Sequence, residues 1–231
     1  ERSLQFAEFG PEEHLALPEV AENGIWSQAY RGPIRYGSAD RIAEMVKDAL
    51  DRGHVQPRQL IVLTPFRAQR SLIRQRLSAH GVRQVKVSTV HRAQGSEAPV
   101  VLFDPADGAN PFLLSDEAKR LINVALSRAQ AKIVVVVSPG DSANPIFSQI
   151  INRARLRADR RDAVPIAELI RRAGFPACAV GQRVLIGRHT GEVARVSADG
   201  GTLWMINADT GAEQAFDVAT LRKNAASAAT S

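Results

Sequence analysis

Cysteine is almost absent: Cys178 stands alone in a chain of 231 residues. One thiol closes no internal disulfide, so a reducing, cytoplasmic compartment is the natural expectation. Long hydrophobic runs are missing too. None approaches the roughly 20 apolar residues that span a bilayer, and Glu1-Arg2-Ser3-Leu4 leads into acidic, Pro-containing sequence rather than a signal peptide. No membrane partner is expected. The missing initiating Met suggests a piece of a longer polypeptide. There is no carboxylate cluster suited to metal-dependent cleavage, no internal repeat, and no low-complexity tract before the Ala/Ser-rich end after Lys223. What remains is ordinary globular material, 45% hydrophobic and 23% charged. A formal charge of +6 and a pI near 10.1 point towards nucleic acid, although Arg and Ala enrichment equally tracks genome base composition.

Residues 1–35 show little periodicity and contain Pro11, Pro18, Gly24, Gly32 and Pro33, which reads as an irregular entry segment. Ser38 reads as the N-cap of a helix from Ala39 to Asp51, with Ile42, Met45, Val46 and Ala49 on one face. Strands are expected at Leu60–Thr64, Gln84–Ser88, Val100–Phe103 and Lys132–Ser138. Helices are expected from Ala68 to His80 and, capped by Asp116, up to Arg128. Strands alternating with helices at this spacing imply a parallel sheet, and the unbroken apolar run Ile133–Val137 fits a strand covered on both faces.

Beyond Pro145 the texture changes. Residues 149–178 read as an Arg-rich helical linker, whose bland interpretation is a solvated surface. From 179 to 223 the pattern is β: Gln182–Ile186, Glu192–Ser197, Thr202–Asn207 and Glu213–Phe216, joined at Gly187…Gly191, Asp199-Gly200-Gly201 and Asp209-Thr210-Gly211. This suggests a small SH3- or Tudor-like barrel, followed by a disordered tail at 224–231. Trp204, Val184, Val193, Val196 and Phe216 read as its core. Arg183, Arg188, His189 and Arg195 offer either a basic face for nucleic acid or an edge for a protein partner.

Three segments carry chemistry, in this order: Ile61-Val62-Leu63-Thr64-Pro65-Phe66-Arg67-Ala68-Gln69, then Val87-Ser88-Thr89-Val90-His91-Arg92-Ala93-Gln94-Gly95-Ser96-Glu97, then Asn123-Val124-Ala125-Leu126-Ser127-Arg128-Ala129. Together they resemble motifs IV, V and VI of superfamily 1 helicases, the RNA-decay and DNA-replication branch above all. The resemblance covers residues 36–140 and implies an α/β fold: the second RecA-like, P-loop-type lobe (36–148) of a motor that binds ATP and Mg2+ between two lobes. By that resemblance Arg128 is the arginine finger that stabilises charge in phosphoryl transfer. Gly95 and Glu97 contact the nucleotide, Arg67 and Arg120 reach nucleotide or strand, and Thr64, Ser88, Thr89 and His91 contact a nucleic-acid backbone.

Each residue has a plainer interpretation: a helix C-terminal arginine for Arg128, a βα turn for Gly95 and Glu97, helix capping for the hydroxyls. His91 stands where the family often has an acid, and Ser38 and Arg41-Ile42 replace its usual Asn and Glu-Ala pair. Neither a GxxxxGK[ST] loop nor a DExx strand end is present. The magnesium ligands and the phosphate loop are therefore expected on a first lobe outside this sequence, and this segment alone should not hydrolyse ATP. The implied partners are single-stranded DNA or RNA, that first lobe, and a protein for the barrel. The alternative is a non-catalytic helicase-like scaffold whose barrel binds a protein or nucleic acid.

Overall fold

Near-continuous burial along the central parallel strands decides the architecture. The computed structural model describes residues 14–93 and 95–227; the side chains of 155–161 lie outside that description, as do Gln94 and the end of the tail. The first unit, which ends at Ile151, carries β1 (Leu15–Ala16), β2 (Ile25–Ser27), β3 (Gly32–Ile34), α1 (Tyr36–Asp51), β4 (Leu60–Thr64), α2 (Arg67–Ala79), β5 (Lys86–Thr89), β6 (Ala98–Phe103), α3 (Asp116–Leu126) and β7 (Ala129–Val135). α4 (Pro145–Asp162) runs on into the second unit. That unit holds β8 (Val164–Pro165), α5 (Ile166–Ile170), β9 (Arg183–Ile186), β10 (His189–Val196), β11 (Thr202–Asn207), β12 (Glu213–Asp217) and α6 (Val218–Ser227). No helix among the described residues is long and apolar enough to cross a membrane.

The first unit is α/β and RecA-like, built on a five-stranded sheet in the order β1-β7-β6-β4-β5 with every pairing parallel. Leu60, Val62, Val100, Leu102, Val134 and Val136 pack with α1 and α2 on one face. Ile61, Leu63, Val101, Phe103, Val135 and Val137 pack with α3 and the start of α4 on the other. Successive side chains point to opposite faces of a strand, so a run apolar at every position buries both. Each fully buried aliphatic contributes on the order of 1.5–3 kcal/mol.

From residue 14 on, the entry segment is less irregular than its prolines suggest; residues 1–13 of it lie outside the described residues. β1 adds a parallel edge strand, with Leu15 opposite Ile133 and Ala16 opposite Val134, and the Val20 and Pro18 backbones continue the pairing to Val137 at 2.9 and 3.0 Å. Two residues are too short a run for any periodicity to register. Ser38 is not the cap of α1; the helix starts earlier, at Tyr36 with Arg35 as N-cap, and the Ser38 hydroxyl turns inward to Asp104 at 2.7 Å. The cap of α3 is Ser115, whose hydroxyl accepts from the Ala118 amide at 3.2 Å, while Asp116 is the first helical residue, where a negative charge suits the helix dipole.

The second unit is a sheet in the order β12-β11-β10-β9-β8, antiparallel except for the β8–β9 pair. Val184, Val193, Leu203 and Met205 form its core with Ile166, Leu169 and Leu221. Trp204, expected in that core, lies on the opposite face, because Leu203 and Met205 on either side of it point inward. Its ring is covered by the Arg195 guanidinium at 3.8 Å, which is itself paired to Glu213 at 2.9 Å. Gly191, expected in a turn, lies inside β10, since the hairpin closes on Gly187-Arg188 with Ile186 opposite His189. Residues 224–227, expected in the tail, continue α6, which Asp217 caps by accepting from the Thr220 amide at 2.7 Å.

Candidate functional site

The expected site residues gather at two opposite ends of the sheet. Because all its strands are parallel, the starts of β6 and β7 lie roughly 15–20 Å from the finishing ends of β4 and β5. Glu97 and Arg128 immediately precede β6 and β7, and the Ala98 amide donates to the Arg128 carbonyl at 3.1 Å, which places the two residues side by side. Glu97 is exposed and accepts from Gln130 at 3.3 Å. Gly95 has a left-handed φ of +80° with nothing within 4 Å of where a side chain would stand, a conformation that favours glycine and leaves the backbone approachable.

Arg128 is half-buried at the C-terminal end of α3, where its Nε donates to the Val124 carbonyl at 3.2 Å. That bond fixes the stem of the side chain by the helix-end interaction that cations favour. The two terminal nitrogens have no partner among the described residues. A planar donor fork is thus held at the base and open at the tip. Arg120 is exposed on the same helix but two turns back, about 12 Å along the axis, and is not brought to Arg128.

At the other end, Thr64 and Thr89 are register partners, as are Leu63 and Ser88. Thr64 is fully buried, its hydroxyl accepting from the Phe66 amide at 3.4 Å. Ser88 and Thr89 are also largely covered, with the Ser88 hydroxyl bonded to the Thr89 carbonyl at 3.2 Å. His91 and Arg67 are exposed here. The structure therefore puts Arg67 with the hydroxyls, away from Gly95, Glu97 and Arg128.

Around these hydroxyls stands a cationic group of which the motifs singled out only Arg67. Arg67, Arg70 and Arg74 follow the i, i+3, i+7 row of α2, and Arg92 approaches them from the turn after β5. Burial, then the neighbouring charges of Arg74, Arg92 and Arg67, push the Arg70 pKa below its ordinary value. Arg74 donates to the Val87 carbonyl at 2.9 Å. None of Arg67, Arg70, Arg74 and Arg92 has a carboxylate partner among the described residues. Four unpaired like charges held together repel one another, and an anion laid across them relieves the repulsion.

Between β4 and β6 the chain turns to opposite sides of the sheet, the place where open α/β sheets commonly bind ligands. Here that crevice is filled by the protein itself. Arg35, fully buried, donates to Asp141 and Ser138 at 2.7 Å each, to the Val136 carbonyl at 2.8 Å and to Asp104 at 3.1 Å. Gln69 donates to Asp104 at 2.6 Å and accepts from the Arg35 amide at 2.9 Å. Burial favours a neutral Arg35, but Asp104 and Asp141 outweigh it and raise its pKa above the ordinary arginine value. Sequence reading passed over Arg35, Asp104 and Asp141, because nothing local distinguishes them from surface charges; their partners are between 69 and 106 positions apart.

A family model described as an AAA domain matches residues 13–140, more than half of the chain. Over 100 residues, 37% of this chain, it is 25% identical to a Danio rerio protein that carries the name helicase mov-10-B.1. Over 98 residues, 36% of the chain, it is 29% identical to helicase MOV-10 of Gallus gallus. The chain spans about 10% of the length of each of these relatives. Among solved structures, the C-terminal domain of a possible DNA helicase from Lactobacillus plantarum WCFS1 aligns with 59% of this chain and 80% of its own, at 15% identity and a TM-score of 0.42.

Proposed function

The chain belongs to the AAA domain family, and from that premise we propose that it is the second lobe of an ATP-dependent superfamily 1 helicase or translocase acting on single-stranded DNA or RNA. The observation that carries this reading is the placement of Glu97 and Arg128 at adjacent strand starts, with the Arg128 fork open at its tip. The names of the relatives matched over this stretch point the same way.

In this reading a first lobe presents ATP with its Mg2+ to the starts of β6 and β7. Glu97 accepts from the nucleotide, most naturally from a ribose hydroxyl, and the Gly95 backbone approaches it closely. Arg128 donates to the γ-phosphate oxygens as charge spreads over them. Its stem is already immobilised, so little ordering remains to be done in the transition state. The strand lies across the opposite end, its phosphates on Arg67, Arg70 and Arg92, with His91 adding a donor. Contacts of this kind position a strand without reading its sequence. Arg67 thereby belongs to the strand rather than the nucleotide, and Arg120 to neither cluster. The second unit, which we read as an SH3- or Tudor-like barrel, docks a partner outside this cycle.

The test is ATP hydrolysis by the full parent polypeptide with and without single-stranded nucleic acid. The strand should stimulate hydrolysis, and Arg128→Ala should lose about a hundredfold or more of the turnover while still binding the strand. Equal turnover in wild type and Arg128→Ala would reduce the lobe to a scaffold.

A further inference from the structure

Aromatic residues make up 5% of this chain, with two tryptophans in all; among the described residues Trp26, Tyr36 and Phe112 are exposed, and while Tyr36 lies under the Arg76 guanidinium, the other two stand together. Trp26 is 65% exposed on β2 and Phe112 37% exposed on the turn before α3. Between them lies a hollow of about 440 Å³ whose lining also includes Phe66, Arg31, Arg67 and Asn110. That volume falls within the range of small-ligand clefts.

Neighbouring contacts set the walls. Phe112 is braced edge-on by Phe66, with ring centroids 6.1 Å apart at 61°, and its amide donates to the Asn110 side chain at 3.1 Å. Trp26 is set by the β2–β3 hairpin, in register with Pro33. Arg31 and Arg67 flank the hollow, exposed and with no carboxylate partner among the described residues. Exposed large apolar groups cost solvation, and nothing in the packing of the first unit calls for these two. Flat aromatic faces with cations beside them suit a planar π-system tied to an anion, which is the chemistry of a nucleotide in a single strand.

We propose that the hollow receives one unpaired base of the bound strand, stacked on Trp26 and Phe112, with Arg31 and Arg67 on the phosphates that flank it. This rests on the reading of the lobe as a single-strand track, because Arg67 both lines the hollow and opens the arginine row of α2. It adds to that reading a base-contacting pocket indifferent to sequence, since every base has a π-face. The strand enters or leaves the lobe at the β2–β3 hairpin.

The experiment is fluorescence anisotropy of the 231-residue chain with two labelled probes of about 20 nucleotides, longer than the span of one such site. One is oligo-dT and the other is its abasic counterpart, with the same phosphates and no bases. Trp26→Ala and Phe112→Ala should each weaken oligo-dT binding roughly five- to hundredfold, the worth of one stacked base. Neither should alter abasic binding or the salt dependence. Trp26→Phe should retain most of the affinity. Arg70→Ala should instead weaken both probes and lower the salt slope by about one. Both aromatic side chains are exposed, and a circular-dichroism melt checks that each variant folds.

Unchanged oligo-dT binding in Trp26→Ala and Phe112→Ala, with Arg70→Ala still impaired, would overturn the stacking site and leave the hollow to a protein surface. If wild type binds neither probe, the single-strand reading and the stacking site fall together.

Discussion

Arg35 shows how much one side chain can hold. It links the end of β3 to the ends of β6 and β7 through two carboxylates, a hydroxyl and a carbonyl. A buried pair of this kind contributes less than its contacts suggest, because burial has stripped water from all three charges. Removing one member is another matter. Arg35→Ala leaves Asp104 and Asp141 buried without their cation and should cost about 3–5 kcal/mol, read as a lower midpoint in urea. Arg35→Met combined with Asp104→Asn and Asp141→Asn should recover most of that loss, since no charge is then left stranded. A triple variant as unstable as Arg35→Ala would show that the charges themselves, not their mutual satisfaction, stabilise the lobe. Arg128 is the opposite case: one bond at Nε and an open tip, so its replacement should leave folding alone and act on chemistry.

At the scale of the element, two features of the second unit are legible in physical terms. Gly191 is opposite Asn207 of β11, and a Cβ there would run into the Ile206 carbonyl oxygen. Gly191→Ala must therefore spread the strand pair, at a cost of about 1–3 kcal/mol, and loosen exchange protection of the β10–β11 amides first. Asp217 begins α6, where bonds from the Thr220 hydroxyl and amide hold its pKa below the ordinary 3.8. A depressed carboxylate stabilises the fold above its unfolded pKa and loses that contribution as the pH falls through its folded one. Amide protection along α6 should accordingly be full at neutral pH and fall in acid below the ordinary carboxylate value. Asp217→Ala should show weaker protection at neutral pH and no such fall. A wild-type profile flat through that window would remove Asp217 as the cap that matters.

For the whole molecule, the central point is that Glu97 with Arg128 and the arginine row of α2 stand at opposite ends of one parallel sheet. Residues 90–93 lie after β5 at the arginine end, and Gly95–Glu97 lie before β6 at the other. In the proposed motor, one connection therefore touches both ligands and can couple nucleotide state to strand grip. The natural ligand crevice of the sheet, at the finishing ends of its strands, is filled by Arg35 and its partners.

The sequence alone determined the central strands, the main helices and the order of the three motifs. Those signals are local: an apolar run buried on both faces, an i, i+3, i+4 stripe, a glycine at a left-handed turn. It also determined the β character of residues 183–217, where the strand spacing and turn residues speak within a few positions of each other. What it left undecided depends on residues distant in the chain. The β1 edge strand exists because β7 offers it a partner. Trp204 faces outward, with Arg195 across its ring, because its neighbours take the core. The Arg35 crevice, the approach of Arg92 to the arginines of α2 and the aromatic hollow each draw side chains from more than one element, and no window of one element contains them. Tertiary structure decided these, because burial and the pairing of charge are properties of a neighbourhood in space.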